Sequence, residues 1–86
     1  MKEVILLSKP DCPQCQSLKM FLKFALNNRY EPNIEIVDKE ANAEKYNELV
    51  SKHAVLSLPA LVSNDEVLRK CEPSATINFL QKHVGK

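Results

Sequence analysis

The sequence predicts an α/β protein whose four-stranded mixed sheet is flanked by helices, in the order β-α-β-α-β-β-α. Three observations carry that expectation. Glu3 to Ser8 is a continuous apolar run of strand length, as suits a strand covered on both faces. Two stretches of helical spacing then alternate with a short strand, which calls for a right-handed βαβ unit with parallel strands. Finally, Ala60-Leu61-Val62 and Val67-Leu68-Arg69 flank Ser63-Asn64-Asp65-Glu66, and Asn and Asp both accept positive φ in a tight turn.

The elements follow in order. Lys9-Pro10-Asp11 breaks the first strand, and Asp11 is placed to cap a helix or shape the turn. Pro13 suits a first helical turn, where its missing N–H needs no partner. From Gln14 to about Asn28, the residues Leu18, Phe21, Leu22, Ala25 and Leu26 form one apolar stripe. Asn27-Asn28 is its expected end, since Asn tolerates the left-handed conformation. Tyr30 to Asn33 connects to a strand over Ile34, Ile36 and Val37. Asp38 is a candidate helix start, and Ala43, Tyr46, Leu49, Val50 and His53 mark a helix from Glu40 to about His53. Val55 to Pro59 reads as a loop before the hairpin. Cys71 to Ser74 turns into a last helix, with Glu72 or Ser74 as cap, Ile77, Leu80 and Val84 as its stripe, and Gly85 as its stop.

Eighty-six residues suit one domain, expected over residues 1–86. Twelve Lys and Arg nearly balance eleven Asp and Glu, so no broad field attracts nucleic acid or an anionic membrane. No apolar stretch approaches the ~20 residues of a membrane span. Met1-Lys2-Glu3 followed by four apolar residues is too short for a signal-peptide apolar region. A cytoplasmic monomer is expected, with no nucleic-acid or membrane partner.

Cys12-Pro13-Gln14-Cys15 lies between the first strand and the first helix. Three cysteines are too few and too unevenly spaced for a secreted disulfide framework. In a reducing compartment, a close pair is more often catalytic or metal-binding. A thiol at a helix entry meets free backbone N–H groups and the positive end of the helix dipole, which favour the nucleophilic thiolate. Lys9, three residues earlier, adds positive charge. Cys12 is therefore the expected nucleophile and Cys15, one turn in, the resolving thiol. The competing class is a metal-binding or carrier module using Cys12, Cys15 and Cys71. A structural zinc site needs four protein ligands, and only Cys71, His53 and His83 remain to complete one. Both histidines fall near helix C-termini, where a cation is favourable.

Ser8-Lys9-Pro10-Asp11-Cys12-Pro13-Gln14-Cys15, together with Leu58-Pro59 just before the third strand, resembles the thioredoxin superfamily. The resemblance is greatest to glutaredoxins and to the small glutaredoxin-like redoxins that reduce ribonucleotide reductase. It covers essentially the whole chain and implies a thioredoxin fold with dithiol–disulfide oxidoreductase activity on protein or glutathione mixed disulfides. No bound cofactor is implied. Glutathione is a possible co-substrate, and either glutathione or a thioredoxin-reductase-type flavoenzyme would be the reductant.

The resemblance also places a cis peptide bond before Pro59, leaving the Leu58 backbone free to pair with an extended substrate. Lys9 matches a glutathione-binding Lys of glutaredoxins, and Gln14 replaces their aromatic residue, as in the ribonucleotide-reductase-linked redoxins. Arg69-Lys70-Cys71-Glu72-Pro73 stands where glutaredoxins carry a Gly-Gly-x-Asp grip. Side chains on Arg69 and Lys70 crowd that approach but offer charge to a glutathione carboxylate. Lys9, Gln14, Leu58, Pro59, Cys71 and Glu72 are thus the expected substrate-binding set. Cys71 is expected as a small core or loop residue, with a regulatory or glutathionylated thiol as the functional alternative.

Overall fold

A computed structural model describes residues 3–85 of the chain. Met1 and Lys2, part of the N-terminal segment weighed against a signal peptide, lie outside the described residues. The strands are β1 (Val4–Ser8), β2 (Ile34–Asp38), β3 (Ala60–Ser63) and β4 (Glu66–Leu68), and the helices are α1 (Pro13–Met20), α2 (Ala43–His53) and α3 (Pro73–Val84). They form one four-stranded mixed sheet in the order β2-β1-β3-β4. β1 runs parallel to β2 and antiparallel to β3, which is antiparallel to β4. This is the thioredoxin fold that the sequence predicted. Among the described residues no helix is long and apolar enough to cross a membrane.

Alternation along β1 divides the core. Val4 and Leu6 pack on one face with Leu18 of α1, Tyr30, Leu61, and Phe79 and Leu80 of α3. Leu7 packs on the other face with Val37, Tyr46 of α2, Val55, Ala60 and Val62. Helices therefore cover both faces, which is why β1 reads as an unbroken apolar run.

Four local expectations shift. The first helix is α-helical only to Met20 and continues as a π-helical segment, Phe21–Ala25. A π turn adds a residue per turn and rotates the side chains beyond it, so Ala25 is exposed instead of in the stripe. Asn27 and Asn28, at φ 52° and 56°, end the segment as expected. α2 begins at Ala43 and not at Glu40. Asp38 turns the chain before it, accepting the N–H groups of Glu40 (2.9 Å) and Ala41 (3.1 Å). β4 sits one residue earlier than expected. In α3 the buried residues are Thr76, Phe79 and Leu80, while Ile77 and Val84 are half-buried. Glu72 holds the N-cap position but makes no side-chain capping bond, and Gly85 closes the helix at φ 82°.

Candidate functional site

The junction between β1 and α1 fixes the cysteine pair. Asp11 takes φ 55° and turns the chain, so the helix cap falls to Cys12 and not to Asp11. Cys12 is extended (φ −113°, ψ 101°), and its Sγ accepts the Cys15 N–H at 3.2 Å. A sulfur thus satisfies one of the free amides at the start of α1. Cys12 and Cys15 are joined as a disulfide with Cα atoms 5.2 Å apart, so one helical turn brings the two sulfurs together. Cys15 is fully buried and Cys12 is 3% exposed.

Beside the pair lies an open cleft of about 550 Å³. Its floor is apolar: Leu18 and Phe21 from the first helix, Leu58 and Pro59 from the loop before β3. Pro13, Gln14 and Ser17 form the rim on the cysteine side. The β4–α3 connector, Arg69 to Glu72, and Pro73 at the start of α3 complete the lining. The Leu58-Pro59 peptide bond is cis.

The Cys71 Sγ lies 3.7 Å from the Pro59 carbonyl and 3.6 Å from that of Leu68, towards both of which it donates. Burial pushes its thiol up to about 11. It is the free cysteine of the described residues. An Arg69 Nη2 donates to the His53 carbonyl at 3.0 Å, which anchors one end of the guanidinium.

Of the expected substrate-binding set, Gln14, Leu58, Pro59, Cys71 and Glu72 meet at this cleft. Lys9 is exposed beyond the end of β1 and does not line it. The cleft also includes Leu18 and Phe21, which the sequence pattern marks only as a core stripe. Among the described residues no group of three or more His, Cys, Asp or Glu could hold a metal ion. His53 ends α2 and His83 lies in the last turn of α3, as expected. His83 packs on Phe79 and approaches Glu66 at 3.3 Å, away from the cysteines.

Comparison with solved structures agrees with this geometry. The thioredoxin-like protein BC3987 is 29% identical, with a TM-score of 0.65, covering 92% of this chain and 96% of its own. A glutaredoxin from Archaeoglobus fulgidus is similar in fold at 19% identity and a TM-score of 0.66, covering 100% of this chain and 89% of its own. A thioredoxin-fold protein from Helicobacter pylori reaches a TM-score of 0.71 at 17% identity, covering 95% of this chain and 68% of its own. Among curated proteins none matches the chain. Residues 2–78 match the family described as thioredoxin domain. With its mixed sheet, its helix-capping cysteine pair and a family match over most of its length, the chain belongs to the thioredoxin-domain family, as a thioredoxin-superfamily redoxin.

Proposed function

We propose that the chain is a dithiol–disulfide oxidoreductase that reduces protein disulfides, with Cys12 as nucleophile and Cys15 as resolving thiol. The observation that carries this reading is the placement of Cys12 as the cap of α1, bonded to Cys15, beside an open cleft. The amide that Cys12 Sγ accepts in the disulfide stabilises a negative sulfur once the bond is reduced. Cys15 is the more deeply covered of the two, which suits the second step.

Atoms and electrons balance in the exchange. The Cys12 thiolate attacks one sulfur of the substrate disulfide. A Cys12–substrate bond forms as the substrate S–S bond breaks, and the departing sulfur takes a proton from solvent. Cys15 loses its proton and attacks the Cys12 Sγ. The mixed disulfide breaks, the second substrate thiol leaves, and the Cys12–Cys15 disulfide remains. Two electrons have passed to the substrate. A second two-electron donor, glutathione or a thioredoxin-reductase-type flavoenzyme, restores the dithiol. Protein disulfides, a monomeric state and a cytoplasmic setting belong to the same proposal.

The test is a coupled assay with both electron sources in parallel. Turnover with glutathione and glutathione reductase identifies a working glutaredoxin. Turnover only with thioredoxin reductase identifies the flavoenzyme-linked alternative, which Gln14 favours by its resemblance to the ribonucleotide-reductase-linked redoxins. Cys12→Ser is expected to remove activity from either source, and full activity in that variant would overturn the proposal.

A further inference from the structure

Two side chains of the β4–α3 connector reach back to the two ends of one loop. An Arg69 Nη2 donates to the carbonyl of His53, the last residue of α2, at 3.0 Å. A helix end leaves such carbonyls without a partner in its own ladder. Arg69 lines a second, polar pocket there, with Lys52, Asp65 and Val67. Two residues on, the Cys71 Sγ contacts the Pro59 carbonyl at 3.7 Å. His53 and Pro59 bracket residues 54–58, the loop that carries Leu58 to the cleft. Val55 anchors that loop in the core, but Leu56 is 95% exposed and Ser57 is exposed. The β3–β4 ladder ends at the pair Leu61 and Leu68, so both ties lie beyond it. Arg69 also stands where the glutaredoxin resemblance has a glycine, and a glycine has no side chain to make such a bond.

We propose that Arg69 and Cys71 are positioning residues: they clasp the 54–58 loop at its two ends and so hold Leu58 where an extended substrate meets it. This rests on the oxidoreductase reading and adds to it the residues that set the binding geometry. Neither side chain takes part in electron transfer. The guanidinium stays charged at every working pH, so the first tie does not titrate. The second tie needs the hydrogen of a neutral thiol. A loop fixed at both ends meets its substrate already ordered, which spares the entropy of ordering it on binding. Releasing an end therefore weakens binding more than it slows the attack by Cys12. In the competing account Arg69 only caps α2 and Cys71 only fills space. Their loss then lowers stability and leaves substrate binding untouched.

The experiment compares Arg69→Met, Arg69→Lys, Cys71→Ala and the Met/Ala double variant with the native protein. Each is chemically reduced and mixed, in single turnover, with a range of concentrations of one quenched peptide disulfide. Arg69→Met keeps the aliphatic stem and loses the donor, and because Arg69 is exposed the variant should fold. Its half-saturating peptide concentration should rise about three- to tenfold, with a smaller change in the limiting rate. Cys71→Ala should show a smaller rise, since a thiol is the weaker donor. Arg69→Lys can still donate to the His53 carbonyl and should recover most of the binding. The double variant should lose less than the product of the single losses, because one tie holds little once the other end is free. Exchange of the Leu58 amide, followed by NMR, should quicken in Arg69→Met and Cys71→Ala and stay close to native in Arg69→Lys. Native half-saturation and native Leu58 exchange in all variants, a lowered Tm as the sole effect, or a strictly multiplicative double loss would overturn this inference while leaving the redox reading standing. A native protein that reduces no disulfide would overturn both.

Discussion

Three cysteines of one chain sit in three environments. Cys12 caps a helix, Cys15 lies fully buried one turn later, and Cys71 is half-buried across the cleft against two carbonyls. Burial favours the neutral thiol and outweighs a lowering backbone hydrogen bond from Leu61, so Cys71 is pushed up to about 11. At pH 7 Cys71 is therefore held as the neutral thiol. After reduction, iodoacetamide at pH 7 should therefore modify Cys12 first and Cys71 last, as followed by mass spectrometry. The difference should shrink as pH rises towards the Cys71 value, and equal rates at pH 7 would contradict this account of the burial. Thr76 adds a second residue-scale case. It is fully buried, and among the described residues its Oγ1 has no hydrogen-bond partner. Replacing an unpaired buried hydroxyl by an apolar group of the same shape removes a desolvation cost. Thr76→Val should leave the urea midpoint unchanged or raise it, by up to about 1 kcal/mol of stability.

The elements end where special backbone conformations stop them, and not all of these were readable. Asn27 and Asn28 announce a left-handed ending by residue type. Ala54 does not, yet it ends α2 at φ 53°, with the Val55 N–H returning to the Val50 carbonyl at 3.1 Å. The buried Val55 packs on the α2 side of the sheet and holds the chain in that turn, so tertiary packing overrides the preference of alanine. Ala54→Gly relieves the Cβ clash, and the helix end should gain about 0.5–1 kcal/mol in chemical denaturation. The π-helical segment at Phe21 was equally invisible, because an apolar stripe at i, i+3 and i+4 looks the same until an extra residue rotates it. Apolar period and turn chemistry sufficed for the sheet. The parallel crossover and the hairpin were legible, and the structure adds that β3 pairs antiparallel beside β1.

At the scale of the whole molecule, the sheet serves as a partition that joins distant segments. It brings the Cys12–Cys15 turn, the Leu58-Pro59 loop and the Arg69–Glu72 connector to one cleft. The sequence named most of these residues one by one. That Leu18 and Phe21 complete the floor depends on how α1 lies against the loop before β3, which no local pattern encodes. The same joining carries stability. Leu80 is fully buried on the α1–α3 side, and Leu80→Ala should cost about 2–5 kcal/mol in denaturant unfolding.

Surface charge adds a pH dependence. A hydrogen bond from Lys82 at 2.8 Å, and then the nearby His83 ring, hold the Glu66 carboxyl below its usual range. The Ala41 and Glu40 amides do the same for Asp38. Both carboxyls are lowered by folding, so their contribution is present above their unfolded values and is lost as pH falls through the folded ones. The Tm should therefore drop on acidification from roughly pH 5 to pH 3, and Glu66→Gln should flatten that slope. Both groups are solvent-exposed, so the effect should weaken with added salt.

The central claim, that Cys12 attacks and Cys15 resolves, has one direct measurement. In Cys15→Ser the second step is removed, so reaction with a peptide disulfide should halt at a covalent protein–peptide adduct. Tryptic mass spectrometry should place its new bond on Cys12. An adduct on Cys71, or no adduct from a variant that retains the native fold, would contradict the account.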